Sequence, residues 1–133
     1  MQRTLDTNIC SYVLRRHPAT MLERFAGLNR QQVWISGIVA AEIRFGAAKL
    51  GVPRFTLAVE TWLAGFDVQP WPVRASEHYA RLRASLEQQG QPIGAMDMLI
   101  AAHALANDSV LITNNAREFA RVPGLAIEEW PLK

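Results

Sequence analysis

One cysteine, Cys10, stands in the whole chain, so no internal disulfide and no cysteine-rich zinc site can form. A lone thiol of this kind most simply packs in a core. Lysine is nearly missing too: twelve of the fourteen basic residues are arginine, leaving Lys49 and Lys133. No apolar run approaches the roughly 18 uninterrupted residues of a membrane span. The opening MQRTLDTNIC has no secretory hydrophobic region, so residence in the cytoplasm and no membrane contact are expected. No G-x-x-x-x-G-K-[ST] or G-x-G-x-x-G is present, which removes the usual glycine cradles for nucleotide phosphates. H-E-x-x-H is absent, and His17, His78 and His103 are too scattered to suggest zinc. The formal charge is only +2, too small to argue for nucleic acid by itself. Arginine's planar fork suits phosphate, but a solvated arginine-rich surface accounts for the same composition.

The chain has 133 residues, half of them hydrophobic, which fits one domain spanning 1–133 with a substantial core. Short β-like runs alternate with helical periodicities. QRTLD at 2–6, VWIS at 33–36, FDVQPW around 66–71, VLIT at 110–113 and AIEEW at 126–130 read as strands. Helices are expected from Thr7, from Pro18 to about Gly27, and over 37–50, 53–64, 73–89 and 95–106, with a turn at 116–119. Thr7 and Asn8 can cap the first helix; Ser36 is the expected N-cap and Gly51 the exit of the third. The alternation argues for an α/β sandwich: a short central parallel sheet flanked by helices in three layers.

Three carboxylates lie in apolar surroundings: Asp6 in LDTN, Glu42 in AAEIRFG and Asp97 in AMDMLIAAHAL. Burying unpaired carboxylates is costly, and gathering several makes each harder to ionise. A divalent cation offsets that repulsion and activates water against a phosphodiester. Oxygen ligands without histidine or thiolate favour Mg²⁺, with Mn²⁺ able to substitute. Asp6 ends the first strand, where open α/β sheets bind ligands. Its bland alternative is a helix cap, a task Thr7 or Asn8 can also perform. Glu42 lies within a helix, sharing a face with Ile38, Phe45, Gly46 and Lys49, and the apolar members suggest a face turned inward. Otherwise it is an exposed glutamate paired with Lys49 or Arg44. Asp97 opens the apolar stripe of Ile100, Ala101 and Ala104, although a first-turn aspartate also simply favours the helix dipole. His103 falls on another face and reads as a packed or surface residue. TNNAREF supplies a fourth cluster: Thr113 can bond a phosphate or a metal-bound water, Asn115 offers an amide oxygen, and Glu118 follows one turn later. Asn8 either caps or orients Asp6. Arg44 and Arg117 are the arginines nearest these clusters in sequence.

LDTNICSYVL, ISGIVAAEIRFGAAK and IGAMDMLIAAHALANDSVLITNNAREFARVPGLAIEEW together resemble the PIN-domain ribonucleases, in particular the VapC toxins of type II toxin–antitoxin systems. The resemblance covers nearly the whole chain and puts Asp6, Glu42 and Asp97 in the family's acidic positions. It implies a five-stranded parallel sheet and RNA cleavage leaving 5′-phosphate and 3′-hydroxyl ends. It also implies a cognate VapB-type antitoxin that fills the acidic site and binds operator DNA, a homodimer, and a higher toxin–antitoxin assembly. On the same resemblance, Arg44 and Arg117 are candidates for RNA or antitoxin contact. Relatives with this NNxREF block act on initiator tRNA in the anticodon loop. Many PIN domains carry a fourth acid where Asn115 stands, so the number of ions is open, with Glu118 as a nearby substitute. Phe55 and Trp62, seven apart on one helix, are a candidate dimer face or a cover for the chain's own core. Two competing readings are a haloacid-dehalogenase-like phosphatase, whose D-x-D-x-T is broken here by Asn8, and a non-catalytic RNA-binding or protein-interaction module.

Overall fold

The computed structural model describes residues 1–16 and 19–131; the expected helix start at Pro18, like His17, lies outside them. Strand β1 (Arg3–Leu5) is followed by α1 (Thr7–Arg16) and α2 (Ala19–Ala26). Then come β2 (Val33–Ser36), α3 (Gly37–Leu50), α4 (Pro53–Leu63) and β3 (Asp67–Gln69). Helices α5 (Ala75–Gln88) and α6 (Ala95–Ala106), β4 (Val110–Thr113), α7 (Ala116–Phe119) and β5 (Ile127–Glu129) complete the order. Each expected element is present within a few residues of its expected bounds. A single 3₁₀ turn at Arg30–Gln32, capped by Asn29, was not anticipated.

All strand pairs are parallel, in the order β3-β2-β1-β4-β5. All four residues of β2 are buried, as are Leu111–Thr113 of β4. Successive strand residues point to opposite faces, so helices must cover both sides of the sheet. From β1 the chain builds outward through β2 to β3, then returns to lay β4 and β5 on β1's other side. The strand order therefore reverses between β1 and β4, the place where α/β sheets open a crevice at their carboxyl ends. Among the described residues, no helix is long and apolar enough to cross a membrane.

Helix α3, which carries Glu42, is fixed at both ends. The Ser36 hydroxyl accepts from the Ile38 N–H at 3.1 Å, and Gly51 terminates the helix with φ of 72°. The same hydroxyl bonds His103 Nδ1 of α6 at 2.8 Å. His103 is fully buried against the Trp34 ring, not at the surface. Burial, then the charge of Arg74, pushes its pKa down to about 4, so it is a neutral imidazole. Trp62 packs on Phe25 and Phe66, and the Phe55 ring lies beside Arg15. Both aromatics are half-buried against the chain's own core, and Trp62 also lines an apolar surface hollow with Leu14 and Leu57.

Ser36→Ala removes a cap and strips His103 of its partner at once. Urea unfolding should show a loss of about 2–3 kcal/mol, more than a cap alone contributes. A loss below about 0.5 kcal/mol would show that the Ser36–His103 contact carries no weight.

Candidate active site

Asp6 follows β1 directly and is almost fully buried, at 3% exposure. Its Oδ1 accepts from the Ile9 N–H at 2.9 Å, so Asp6 is itself the cap of α1. Thr7 and Asn8, read from sequence as caps, are the first helical residues instead. Asp6 Oδ2 accepts from the Thr113 hydroxyl at the end of β4. That hydroxyl also accepts from the Asn115 N–H at 2.9 Å, fixing the loop that leads into α7. Glu42 reaches the same crevice from α3, where the Thr7 hydroxyl donates to its Oε1 at 2.6 Å. Thr7 is the residue the sequence reading missed, because threonine after a strand looks like an ordinary helix start.

Asp97 enters from the first turn of α6, beside Gly94, where a Cβ would sit 3.3 Å from Asp97 Oδ2. Glu118 of α7 accepts from the Gly94 N–H at 3.1 Å and from Asn115 Nδ2 at 2.7 Å. Its carboxylate also receives a hydrogen bond from the Asp97 carboxyl. Asn115 thus turns its amide nitrogen to Glu118. Asp6, Thr7, Asn8, Glu42, Asp97 and Asn115 line one cavity of about 190 Å³, closed on one side by Phe119.

The expected convergence of Asp6, Glu42 and Asp97 on one cavity is what the structure places there; two supporting expectations differ. Phe45 does not mark an inward face: it is 66% exposed, and Glu42 turns in one residue before the buried Ile43. Arg44 does not face the carboxylates. Two residues on from Glu42 it lies on the far side of α3, in a two-bonded pair with Glu60 at 2.9 Å each. Arg117 is exposed on α7 and, among the described residues, makes no ion pair.

The electrostatics are one-sided. Among the described residues, no arginine or lysine pairs with Asp6, Glu42 or Asp97. Burial chiefly, reinforced by Glu42, pushes Asp6 up to about 6 against the bonds from Thr113 and Ile9. Asp97 is pushed up to about 7 by burial, then by the Glu118 charge and hydrogen bond, then by Glu42 and Asp6. Burial raises Glu118, but bonds from Gly94, Asn115 and Asp97 hold it below the usual range. Asp97 is therefore the member of that pair that keeps the proton. Among the described residues, no three acidic or imidazole groups stand close enough, as placed, to clasp an ion. The donor set nonetheless fits a hard divalent cation: all oxygen, crowded enough to resist ionisation, and with no internal positive charge.

The PIN-domain family model matches residues 4–125. The chain belongs to the PIN-domain family. Within it, the relatives are VapC toxins. A Shigella flexneri protein described as "tRNA(fMet)-specific endonuclease VapC" is 41% identical over 127 residues, 95% of this chain and 96% of its own. A Salmonella typhimurium protein of the same description is 39% identical over the same span. Among solved structures, DNA-bound VapBC from Salmonella typhimurium superposes with a TM-score of 0.91 at 38% identity, covering 98% of each chain. VapBC2 from Rickettsia felis bound to a promoter DNA fragment superposes at 0.89 with 36% identity, covering 98% of this chain and 99% of that one. This chain is thus a VapC-family ribonuclease toxin, in a family of metal-dependent phosphodiester hydrolases. The family leaves no footing for the phosphatase reading.

Two measurements follow from the crowded acids. Asp6 and Asp97 hold protons more tightly in the folded chain than their usual 3.8, at about 6 and about 7. Their stabilising contribution is therefore present at pH about 4 and lost as pH rises through about 6 to 7. In EDTA, stability should decline over that window, and less steeply for Asp97→Asn; equal slopes for the two proteins would refute the assignment. Asn115→Asp should tighten Mn²⁺ binding, because the added repulsion is relieved only by the ion. Calorimetric titration giving unchanged affinity and stoichiometry would put Asn115 outside the coordination sphere.

Proposed function

We propose that this chain is a Mg²⁺- or Mn²⁺-dependent endoribonuclease that cleaves tRNA, initiator tRNA in its anticodon loop, and so stops translation. The reading is carried by one observation: Asp6, Glu42 and Asp97 line a single cavity at the sheet's switch point with no internal cation to balance them. The choice of tRNA rests on the Shigella and Salmonella relatives described as specific for tRNA(fMet), whose similarity runs through the closing block.

Asp6, Glu42 and Asp97 would hold the ion, with Glu118 as a further carboxylate beside Asp97 and Asn115 offering its amide oxygen. The bound ion would supply an acidified water and charge stabilisation at the scissile phosphate. Thr113 keeps Asp6 oriented through Oδ2, and the Ile9 N–H keeps it oriented through Oδ1. Thr7 does the same for Glu42. Asn8, exposed at the cavity's rim, positions substrate or water. Arg117 reaches outward from α7 toward RNA phosphate or an antitoxin carboxylate.

A cognate VapB-type antitoxin is the partner, and operator DNA is met only through it, as the relatives' DNA-bound complexes suggest. Phe45, Leu50, Val52 and Leu57 are exposed on α3 and α4 or between them, an apolar surface for that antitoxin or for a second copy of the chain. The site of action is the cytoplasm, where tRNA is met.

Purified protein should cut initiator tRNA in Mg²⁺ or Mn²⁺ and not in EDTA. Asp97→Asn and Glu42→Gln should each lower the rate by roughly a hundredfold or more, beyond the typical loss for an outer-sphere residue. Both variants should keep the parent's fold by circular dichroism. A rate within a few-fold of the parent at equal metal would remove the residue from the mechanism, and cleavage that persists in EDTA would remove the metal.

A further inference from the structure

A second polar hollow opens beside the carboxylates. It measures about 340 Å³ and is lined by Asn8, Ser11, Tyr12, Arg15, Arg16 and Asn114. Five of the six come from α1, at the three- and four-residue spacings that share a helix face. Asn114 closes the hollow from the turn after β4. Asn8 lines this hollow and the acidic cavity alike, so the two adjoin. Arg15 lies about 10 Å beyond Asn8 along the helix axis.

The chemistry of the two compartments is opposite. The first holds three carboxylates; the second holds two arginines and no acid. Among the described residues, neither Arg15 nor Arg16 has a carboxylate partner. Arg15 is steadied over the Phe55 ring, 5.9 Å from its centre, and its Nη2 lies near Gly46. The guanidinium is thereby positioned without being neutralised. Tyr12 is half-buried against the core and offers a ring at the wall of the hollow. Asn114 Oδ1 is buried and, among the described residues, has no hydrogen-bond donor. A buried acceptor left without a partner is costly, and such a group in a native fold takes its hydrogen bond from water or from a ligand that displaces it.

We propose that this hollow on α1 is the track for the single-stranded RNA that flanks the scissile phosphate. Arg15 and Arg16 bind its backbone, Tyr12 stacks a base, and Asn114 Oδ1 accepts from a base amino group or a 2′-hydroxyl. The inference rests on the ribonuclease reading and adds to it where the strand leaves the site. The strand is pulled by arginine outside a cavity that would otherwise repel its phosphates, and base stacking on an aromatic ring holds it there.

The test uses the full chain, silenced by Asp97→Asn, with a short fluorescent single-stranded oligoribonucleotide in Mg²⁺ at several salt concentrations. Adding Arg15→Ala and Arg16→Ala should weaken binding by roughly tenfold per arginine at low salt. The slope of log affinity against log salt should flatten by about 0.7 for each phosphate that is no longer neutralised. Asn114→Ala should lower affinity roughly threefold to tenfold without lowering the melting temperature, which a structural asparagine would not do. In the active parent background, the arginine changes should raise KM for RNA and leave kcat within about twofold. Unchanged affinity and salt slope in the double arginine variant, while the parent cleaves RNA, would overturn the track. Loss of binding to a hexaglutamate peptide with RNA binding intact would overturn it in favour of an acidic protein segment. A parent that cleaves no RNA in any divalent ion would overturn the ribonuclease reading instead, a result visible before any groove variant is made.

Discussion

The buried carboxylate of Asp6, at the junction of β1 and α1, ties both to β4, which lies more than a hundred residues further along the chain. One oxygen takes the Ile9 N–H and so begins α1; the other takes the Thr113 hydroxyl and so ties the end of β4 to the end of β1. The backbone repeats the tie, since the Asp6 N–H donates to Ile112 O at 3.0 Å. A desolvated carboxylate is costly unless its lone pairs are filled, and here structural partners fill them from two directions. The position of the crevice, the direction of α1 and the start of the loop bearing Asn115 all depend on this one side chain. Capping and chemistry were alternatives for Asp6 only when it was treated as a single point. The cap bond occupies only one of its oxygens, and the carboxylate still lines the acidic cavity.

Much of this is legible in the amino-acid sequence. Strands and helices announced themselves by period and by their stops, and Ser36 and Gly51 bracket α3 as their types suggest. Asp6, Glu42 and Asp97 stood out because each interrupts an apolar setting, and all three line one cavity. The sheet order was a different matter: the five β-like runs and their alternation with helices argue for a parallel sheet, but nothing in the runs themselves orders the strands as β3-β2-β1-β4-β5. Side-chain direction was the weakest inference. Phe45 suggested a buried face because it is apolar, yet α3 carries apolar residues nearly all round, so hydrophobicity could not choose its inward side. Arg44 was near Glu42 in sequence and therefore suspected, although two residues along a helix is about 200° of rotation. Thr7 escaped notice because its partner, Glu42, lies 35 residues away.

The surface divides its charge in a way that the net value of +2 hides. Acids gather where the strands end, and two arginines, Arg15 and Arg16, stand in the last turn of the adjoining α1. A polyanion approaching this chain meets repulsion at the centre and attraction beside it. On the proposed track, binding is left to the flank, and a cation would offset the acids before a phosphate settles among them. Metal dependence and substrate placement become one electrostatic problem.

The two outermost strands, β3 and β5, are only three residues long, and each carries an exposed acid, Asp67 and Glu129. An unpaired strand edge is a template for adding another strand, and shortness and charge are the means by which proteins blunt it. Here the free edges offer about 10 Å of backbone apiece. Strand addition at either margin of the sheet is discouraged, which favours helical faces for any larger assembly of this chain. Protein–protein association and amyloid-like stacking are thereby kept on separate surfaces.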